Sequence, residues 1–417
     1  MQDINEEAQG CLNCQNPLCK IRGCPVETDI PGFIAKIKEE KFEEAFYILK
    51  ENNIMSNICG IVCPAEEFCM GSCIKGIRGN SIKINELEDF VNTWAEEHDI
   101  TYKLNCEEKN GIKVALVGGG PAGIGCAAEL AKKGFDVTIF EREHKLGGVL
   151  RYGIPEFRLS RHKIDIVTDT LEDAGIHIKT GIEFGKDITE KSLKKQGYKA
   201  IFLGIGADVS TVYSLSEKDC NGIYKANEFL KIYNNGGKLD NLGIVAVIGG
   251  GNVAMDSSRA SVRLGAEKVY ILYRRDMEYM PARALDIKET LEDGVEIMYK
   301  TKVIRAKTEK GKIVGIKCIK TEVIDGKSVD IEGSEFSIKA DTIIFAIGLF
   351  PDKQILRQAE IELDRDLIRV DLHEMTNRDG VFAGGDLIEA RSYVCKAIQS
   401  GKIAAWNIDR YLIEKFA

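Results

Sequence analysis

The chain has 417 residues and a formal net charge of −8, with 44% hydrophobic and 29% charged residues. This length predicts about two to four domains with a sizeable buried core. The negative charge argues against a nucleic-acid-binding surface. No apolar run approaches the roughly 18 residues that a membrane helix needs, and the acidic start MQDINEEAQG does not resemble a signal peptide. We therefore expect a cytoplasmic protein with no membrane partner.

Cysteines are concentrated near the N-terminus, where eight of the 13 lie within the first 73 residues. Two runs account for seven of them: Cys11, Cys14, Cys19 and Cys24, then Cys63, Cys69 and Cys73. In a cytosolic chain, clustered cysteines are more often metal ligands than disulfides. Closely spaced thiolates with a remote cysteine before proline favour iron–sulfur clusters. The alternative is zinc, although four-cysteine zinc sites usually have two tight pairs and only one pair here has two-residue spacing.

Seven clustered thiols are one short of two all-cysteine cluster sites. Cys59 is one candidate for the eighth ligand, and a carboxylate is the other. The scattered cysteines lack partners at motif spacing, and we expect most of them to be buried as small apolar side chains. They are Cys59, Cys106, Cys126, Cys220, Cys318 and Cys395.

The residues around the cysteines have a helical pattern. Apolar side chains recur every three or four positions over 31–57 and again over about 82–97. The first hundred residues therefore predict a small helical domain around metal. The polar stretch 104–111 is the predicted linker between this helical domain and the rest of the chain.

From residue 112 the pattern is strand, glycine turn, helix and strand, the order of a dinucleotide-binding unit. Glycines in the turn allow the backbone to approach a pyrophosphate, which the helix N-terminus stabilises. The predicted binding residues of the turn are Gly118, Gly120, Pro121, Ala122 and Gly123. Glu141 ends the second strand, where a carboxylate can accept both ribose hydroxyls.

The same pattern recurs over 244–273, which indicates an internal duplication of architecture. The predicted turn residues here are Gly249, Gly251, Asn252 and Val253. The second strand ends on Tyr273 instead of an acid, and Arg274 and Arg275 follow. Two guanidinium groups at this position suit the 2′-phosphate of NADPH. The alternative is a solvated charge pair at the end of a strand.

The motifs CLNCQNPLC, CP at 24–25 and CP-x4-C-x3-C at 63–73 resemble one N-terminal domain. It is shared by the glutamate synthase small subunit, the N-terminal half of dihydropyrimidine dehydrogenase, and the large subunit of the bifurcating NADH-dependent ferredoxin:NADP oxidoreductase. The resemblance implies two [4Fe-4S] clusters with interleaved ligands. Cys11, Cys14, Cys19 and Cys73 would hold one cluster, while Cys24, Cys63, Cys69 and Glu88, at the end of IKINELE, would hold the other.

The resemblance extends to a flavin site and assigns FAD to the first glycine turn. The block at 147–159, with Gly148 and Arg158, resembles a segment that lies along the flavin. VFAGGD at 381–386 resembles the second FAD fingerprint, in which Asp386 would contact the ribityl chain. At the start of the last helix the family usually has Thr-Val-Val facing the flavin, and this chain has Ser392-Tyr393-Val394.

The order of these motifs predicts an α/β protein in which a helical iron–sulfur domain precedes two Rossmann-like dinucleotide-binding domains. The expected segments are a [4Fe-4S] domain at 1–108, a first FAD part at 109–212, an NAD(P)H domain at 213–345 and a second FAD part at 346–417. The NADPH domain is thus inserted into a discontinuous FAD domain.

These features predict an NAD(P)H-dependent flavoprotein oxidoreductase that passes electrons from NADPH to a partner subunit holding the substrate. Neither nucleotide segment contains the Cys-x-x-Cys of a disulfide reductase, and no catalytic residue is assigned. The partner is expected to be a glutamate synthase large subunit or, as in two-subunit dihydropyrimidine dehydrogenases, a TIM-barrel FMN subunit. A standalone NADPH:acceptor or ferredoxin oxidoreductase is the remaining alternative.

Overall fold

A computed structural model describes residues 2–210, 221–239, 241–390 and 393–416. The chain forms two compact units. Unit 1 consists of Met1–Leu150, Phe157–Ala207 and Pro351–Ala417, and unit 2 consists of Arg151–Glu156 and Asp208–Phe350. The predicted boundary at 212/213, together with Cys220 and Ser392, lies outside the described residues. The four predicted segments therefore remain a prediction.

Helices dominate the N-terminal part and then alternate with strands. The α-helices are α1 (Gln2–Gln9), α2 (Ile30–Lys38), α3 (Phe42–Asn52), α4 (Ser56–Val62), α5 (Ile84–Glu97), α6 (Pro121–Lys132), α7 (Val149–Tyr152), α8 (Arg161–Asp173), α9 (Glu190–Lys195), α10 (Ala226–Asn234), α11 (Asn252–Arg263), α12 (Ala284–Glu292), α13 (Lys353–Gln358) and α14 (Val394–Phe416). Among the described residues, none of these helices is both long and apolar enough to span a bilayer.

Strands begin only after residue 112. They are β1 (Lys113–Val117), β2 (Asp136–Phe140), β3 (His177–Lys179), β4 (Ala200–Leu203), β5 (Val209–Ser210), β6 (Ile223–Lys225), β7 (Ile244–Ile248), β8 (Lys268–Leu272), β9 (Glu296–Met298), β10 (Thr301–Glu309), β11 (Lys312–Ile324), β12 (Lys327–Asp330), β13 (Phe336–Ile338), β14 (Thr342–Phe345), β15 (Leu349–Phe350), β16 (Leu363–Asp364), β17 (Leu367–Ile368) and β18 (Val381–Ala383).

Each unit contains a five-stranded parallel sheet, and the two sheets have matching layouts. The orders are β18-β4-β1-β2-β3 in unit 1 and β6-β14-β7-β8-β9 in unit 2. The central strands β1 and β7 are buried from their second residue onward, as expected of strands covered on both faces. Unit 2 also has an antiparallel sheet, in which β11 pairs with β10, β12 and β13. The predicted α/β class and the duplicated architecture match this arrangement.

The helical segment at the N-terminus has its own apolar core, built from α2, α3 and α5. The prediction of continuous helix over 31–57 is wrong, because the chain divides there into α2, α3 and α4. The first break is at Glu40, which has a left-handed φ of 57°. That conformation ends a helix and is usually occupied by glycine, so the local pattern did not indicate it. The predicted helix over 82–97 is present as α5.

Helix α14 packs closely on α6, the helix that follows the first glycine turn. The contact depends on Gly401, because a Cβ built there would lie 2.0 Å from the carbonyl oxygen of Ala122. Both atoms belong to helix backbones, so neither helix can relax locally around an added methyl group.

We expect Gly401→Ala to lower the melting temperature by several degrees, since overpacking typically costs about 1–3 kcal/mol. Thermal unfolding followed by circular dichroism measures this change. Gly79→Ala is the matched control, because a Cβ there has no heavy atom closer than Lys75 O at 4.0 Å. Equal melting temperatures for the two variants would contradict the close helix contact.

Candidate functional site

Two neighbouring cavities in unit 1 divide the predicted ligands between them. The first cavity is lined by Cys11, Cys14, Cys19 and Cys73, and the second by Cys24, Cys63, Cys69 and Glu88. This is the division that the family resemblance implies. Over the described ranges, no three ligating side chains converge as they would around a single metal ion. A four-iron cluster has a different requirement, because each thiolate binds a separate iron and the ligands surround a volume.

Glu88 contributes a carboxylate to the wall of the second cavity. It lies on α5 with only 8% of its surface exposed, and its Oε1 has no hydrogen-bond partner among the described residues. Burial raises the pKa of Glu88 to about 8, against an opposing attraction from Lys50. A buried acceptor atom without a partner is costly. An iron ligand role would satisfy this oxygen, so the residues present fit a cluster.

Two further thiols line the second cavity. Cys59 is the candidate already considered from the sequence, and its sulfur accepts a hydrogen bond of 3.3 Å from Asn53 Nδ2. Cys395 was not predicted to lie here, because it is isolated at the far end of the chain. It is buried as expected, yet it contacts the thiol of Cys63. No local sequence pattern could have identified this contact.

The first glycine turn lies between β1 and α6, as predicted. Gly118 has a φ of 104°, and a Cβ there would lie 2.4 Å from Gly204 O. Glu141 directly follows β2 and its carboxylate lies against the turn. Its Oε2 accepts a bond of 2.7 Å from Gly119 N, and its Oε1 accepts one of 2.9 Å from Glu143 N. Each carboxylate oxygen keeps a further acceptor position for a ribose hydroxyl.

The loop around Gly148 packs onto the same turn. A Cβ at Gly148 would lie 2.9 Å from Gly120 Cα, and Gly147 N donates to Gly119 O at 2.8 Å. Pro121 and Ala122 begin α6, and Gly123 follows them in its first turn. Arg158 is half-buried in the segment between α7 and α8.

Asp386 is brought to this turn from the end of the chain. A Cβ on its neighbour Gly385 would lie 3.1 Å from Ala122 Cβ. Gly385 N donates a 3.0 Å hydrogen bond to Ser400 Oγ on α14. Burial raises the pKa of Asp386 to about 6. The turn, Glu141 and Asp386 thus meet in one region of unit 1.

A second buried carboxyl lies behind Asp386 and was not predicted. Glu374 Oε1 accepts a bond of 3.3 Å from Ser400 Oγ, and its Oε2 has no partner among the described residues. Burial raises the pKa of Glu374 to about 8, which the bond from Ser400 only partly opposes. The folded protein therefore keeps a proton on this carboxyl up to a pH near 8.

Stability is accordingly expected to fall as pH rises from about 4.3, the ordinary glutamate value, to about 8. In that window the unfolded chain binds fewer protons at this position than the folded protein does. Glu374→Gln, which stays neutral, should therefore melt above wild type at pH 9 and equally at pH 5. Thermal melts of the purified holoprotein at both values measure this, with exposed Glu362→Gln as the control. An offset that is the same at both pH values would contradict the prediction.

The second glycine turn lies between β7 and α11 in unit 2. Gly251 and Asn252 begin the helix, and Asn252 Oδ1 accepts a bond of 2.9 Å from Arg283 N. Val253 follows in the first turn, and Gly249 has a positive φ of 150°. Pro281 packs over the turn, 3.8 Å from a Cβ built at Gly251. The block Met280–Arg283 therefore covers this site.

The two arginines after β8 differ in their surroundings. Arg274 is exposed, and its carbonyl oxygen accepts bonds from Thr321 and Ser328. Arg275 is half-buried, with its guanidinium carbon 5.8 Å from the ring centre of Tyr273 and 5.6 Å from that of Tyr279. Its Nε is buried without a hydrogen-bond partner in the part of the chain that the structure describes. Arg275 therefore has a donor available for an anion.

Comparison with known families agrees with this geometry. Residues 112–404 match the family described as pyridine nucleotide-disulphide oxidoreductase, and residues 1–100 match dihydropyrimidine dehydrogenase domain II, 4Fe-4S cluster. The glutamate synthase [NADPH] small chain of Escherichia coli (strain K12) is 32% identical over 97% of this chain and 91% of its own length. The chain belongs to the glutamate synthase small-chain family of pyridine nucleotide-disulphide oxidoreductases. The predicted family, fold class and enzyme class are confirmed: it is an NAD(P)H-dependent flavoprotein oxidoreductase with a 4Fe-4S domain.

Two more similarities show how widely this architecture is used. The NADP(+)-dependent formate dehydrogenase subunit beta of Moorella thermoacetica is 31% identical over 94% of this chain, which spans 59% of that relative. Mycobacterium tuberculosis FprA in complex with NADPH has a TM-score of 0.63 at 17% identity, over 73% of this chain and 85% of FprA. The second similarity concerns the fold alone.

Proposed function

We propose that this protein accepts hydride from NADPH and passes electrons through two [4Fe-4S] clusters to a partner subunit, as the small subunit of a glutamate synthase. The observation that carries the proposal is the division of eight ligating side chains between two cavities in unit 1. The same unit contains the predicted FAD turn. Flavins exchange electron pairs with nicotinamides, and clusters carry single electrons.

The chain's own residues would have distinct binding roles. Each cavity would hold one cluster through its four ligating side chains, with Glu88 as the only oxygen ligand. Glu141 and Asp386 would bind the ribose and ribityl hydroxyls of FAD, while Gly118, Gly120 and Gly123 admit the pyrophosphate. Gly249 and Gly251 would do the same for the nicotinamide nucleotide, and Arg274 and Arg275 would bind its 2′-phosphate.

The partner is proposed from the relatives. The relatives named glutamate synthase small chain imply a large chain that holds the substrate site. This chain contains no assigned acid–base or nucleophilic residue, which is consistent with chemistry completed on another subunit. The first experiment is anaerobic affinity purification from the native cell, with iron, FAD and co-purifying subunits quantified. A stoichiometric amidotransferase subunit and NADPH-driven reduction of the bound flavin would support the proposal.

The second candidate is the flavin subunit of a dihydropyrimidine dehydrogenase. It is favoured by the match of residues 1–100 to the dihydropyrimidine dehydrogenase cluster domain. A stoichiometric TIM-barrel FMN subunit in the same purification would establish it in place of glutamate synthesis. Flavin reduction by NADPH without any stoichiometric partner would instead indicate a standalone NADPH:acceptor oxidoreductase.

A further inference from the structure

Cys395 lies in the first turn of α14 and is only 2% exposed. It lines the second cavity together with Cys24, Cys63 and Cys69. The side chains of Cys395 and Cys63 are within hydrogen-bonding contact. The cavity therefore contains a thiol that belongs to neither cysteine run.

The position of Cys395 is fixed by the contacts around it. Tyr393 Oη donates to Glu67 Oε2 at 2.9 Å, and its ring lies edge-on to Phe68, with centroids 5.4 Å apart. Both partners belong to the loop that carries Cys63 and Cys69. Further along α14, Lys402 Nζ donates to Asn52 O at 2.7 Å. The start of α14 is thus attached to the loop that would hold the cluster.

A ligand role for Cys395 is unnecessary in this arrangement. Three thiolates and the Glu88 carboxylate already provide one ligand for each iron of a four-iron cluster. The buried Oε1 of Glu88 has no other partner in the described ranges, whereas Cys395 already contacts Cys63. Binding iron through Cys395 would leave the Glu88 oxygen unsatisfied, which is the costlier outcome.

We propose that Cys395 donates an S–H hydrogen bond to the sulfur of Cys63 and thereby raises the reduction potential of the cluster in the second cavity. This inference rests on the proposed two-cluster function. Hydrogen bonds to ligating sulfurs stabilise the more negative, reduced state of a cluster. The added electron resides on the cluster, while the proton stays on Cys395. Cys395 is thus a positioning residue that acts through Cys63.

The test is a potentiometric titration of the full holoprotein, followed by electron paramagnetic resonance under anaerobic conditions. Cys395→Ala should retain all its iron but move one of the two cluster potentials to a more negative value. We expect the ratio of reduced to oxidised cluster to fall about three- to tenfold at a fixed potential, a shift of up to about 59 mV for one electron. Cys395→Ser keeps a donor and should stay closer to wild type. Cys318→Ala, which removes a buried cysteine from unit 2, should change neither potential.

Three results would overturn the inference. Unchanged cluster potentials in Cys395→Ala would show that no functional bond is made. Loss of one cluster's iron in both Cys395→Ala and the volume-matched Cys395→Val would show that Cys395 is a ligand. Equal shifts in the Ser and Ala variants would assign the effect to packing. If the wild-type protein contains only about four iron atoms, the two-cluster proposal itself is wrong.

Discussion

Replacing Arg275 by alanine is expected to raise the KM for NADPH by about 10- to 100-fold while changing the KM for NADH less than about twofold. A hydrogen bond to a charged group is worth about 1.5–3 kcal/mol, which corresponds to this range. Only NADPH carries the 2′-phosphate that the guanidinium would bind. Steady-state kinetics with both nucleotides and an artificial acceptor measure the two constants. Arg274→Ala should act in the same direction but more weakly, because that side chain is exposed.

The control for this prediction is Lys268→Ala, which also removes one positive charge from the same region. Lys268 lies at the start of β8 and pairs with Glu296 at the surface. Its loss should leave both KM values near wild type. Equal increases for NADPH and NADH in Arg275→Ala would show that the residue supports the fold of the site rather than the phosphate.

Glu88→Ala is expected to lower the iron content from about eight to about four atoms per chain, or to make one cluster labile to chelators. Without the carboxylate the second cavity keeps its three predicted thiolate ligands and lacks the proposed fourth. Glu88→Gln, which retains a ligating oxygen, should keep more iron than Glu88→Ala. Iron analysis and electron paramagnetic resonance of the anaerobically purified protein measure both effects.

Glu86→Ala provides the matched control, because Glu86 lies on the same helix but is exposed and pairs with Lys83 at 3.1 Å. It should keep full iron and both cluster signals. If Glu88→Ala is indistinguishable from Glu86→Ala, Glu88 is not a ligand. Cys59, the other candidate in the cavity, would then be the next residue to replace.

Features encoded over short stretches of sequence were predictable. The glycine turns at Gly118 and Gly249 follow from strand, turn and helix patterns, because a pyrophosphate-binding turn needs glycine at fixed spacing. The membership of Glu88 in the second cavity followed from a family motif, since a lone helical glutamate carries no such indication. Burial without a partner for its Oε1 is information that only the structure supplies.

Features that depend on distant packing were not predictable. Cys395 reaches the second cavity because α14 packs on α6 and α4, and no local periodicity encodes that contact. Glu374 looks like a surface glutamate in a polar loop, yet tertiary contacts bury it beside Ser400. The break at Glu40 was missed for a related reason, because the left-handed residue there is not a glycine.

Helix α14 also limits how this protein can be divided. A fragment ending at residue 108 would keep both cysteine runs but lose Tyr393, Cys395 and Lys402, which contact the cluster loop and α3. Its second cavity would be open to water on that side, so we expect its cluster to be sensitive to oxygen. Inserting a single residue between Cys395 and Gly401 would rotate one relative to the other by about 100°. Transplanting the cluster segment into another enzyme therefore requires the C-terminal helix as well, at its present length.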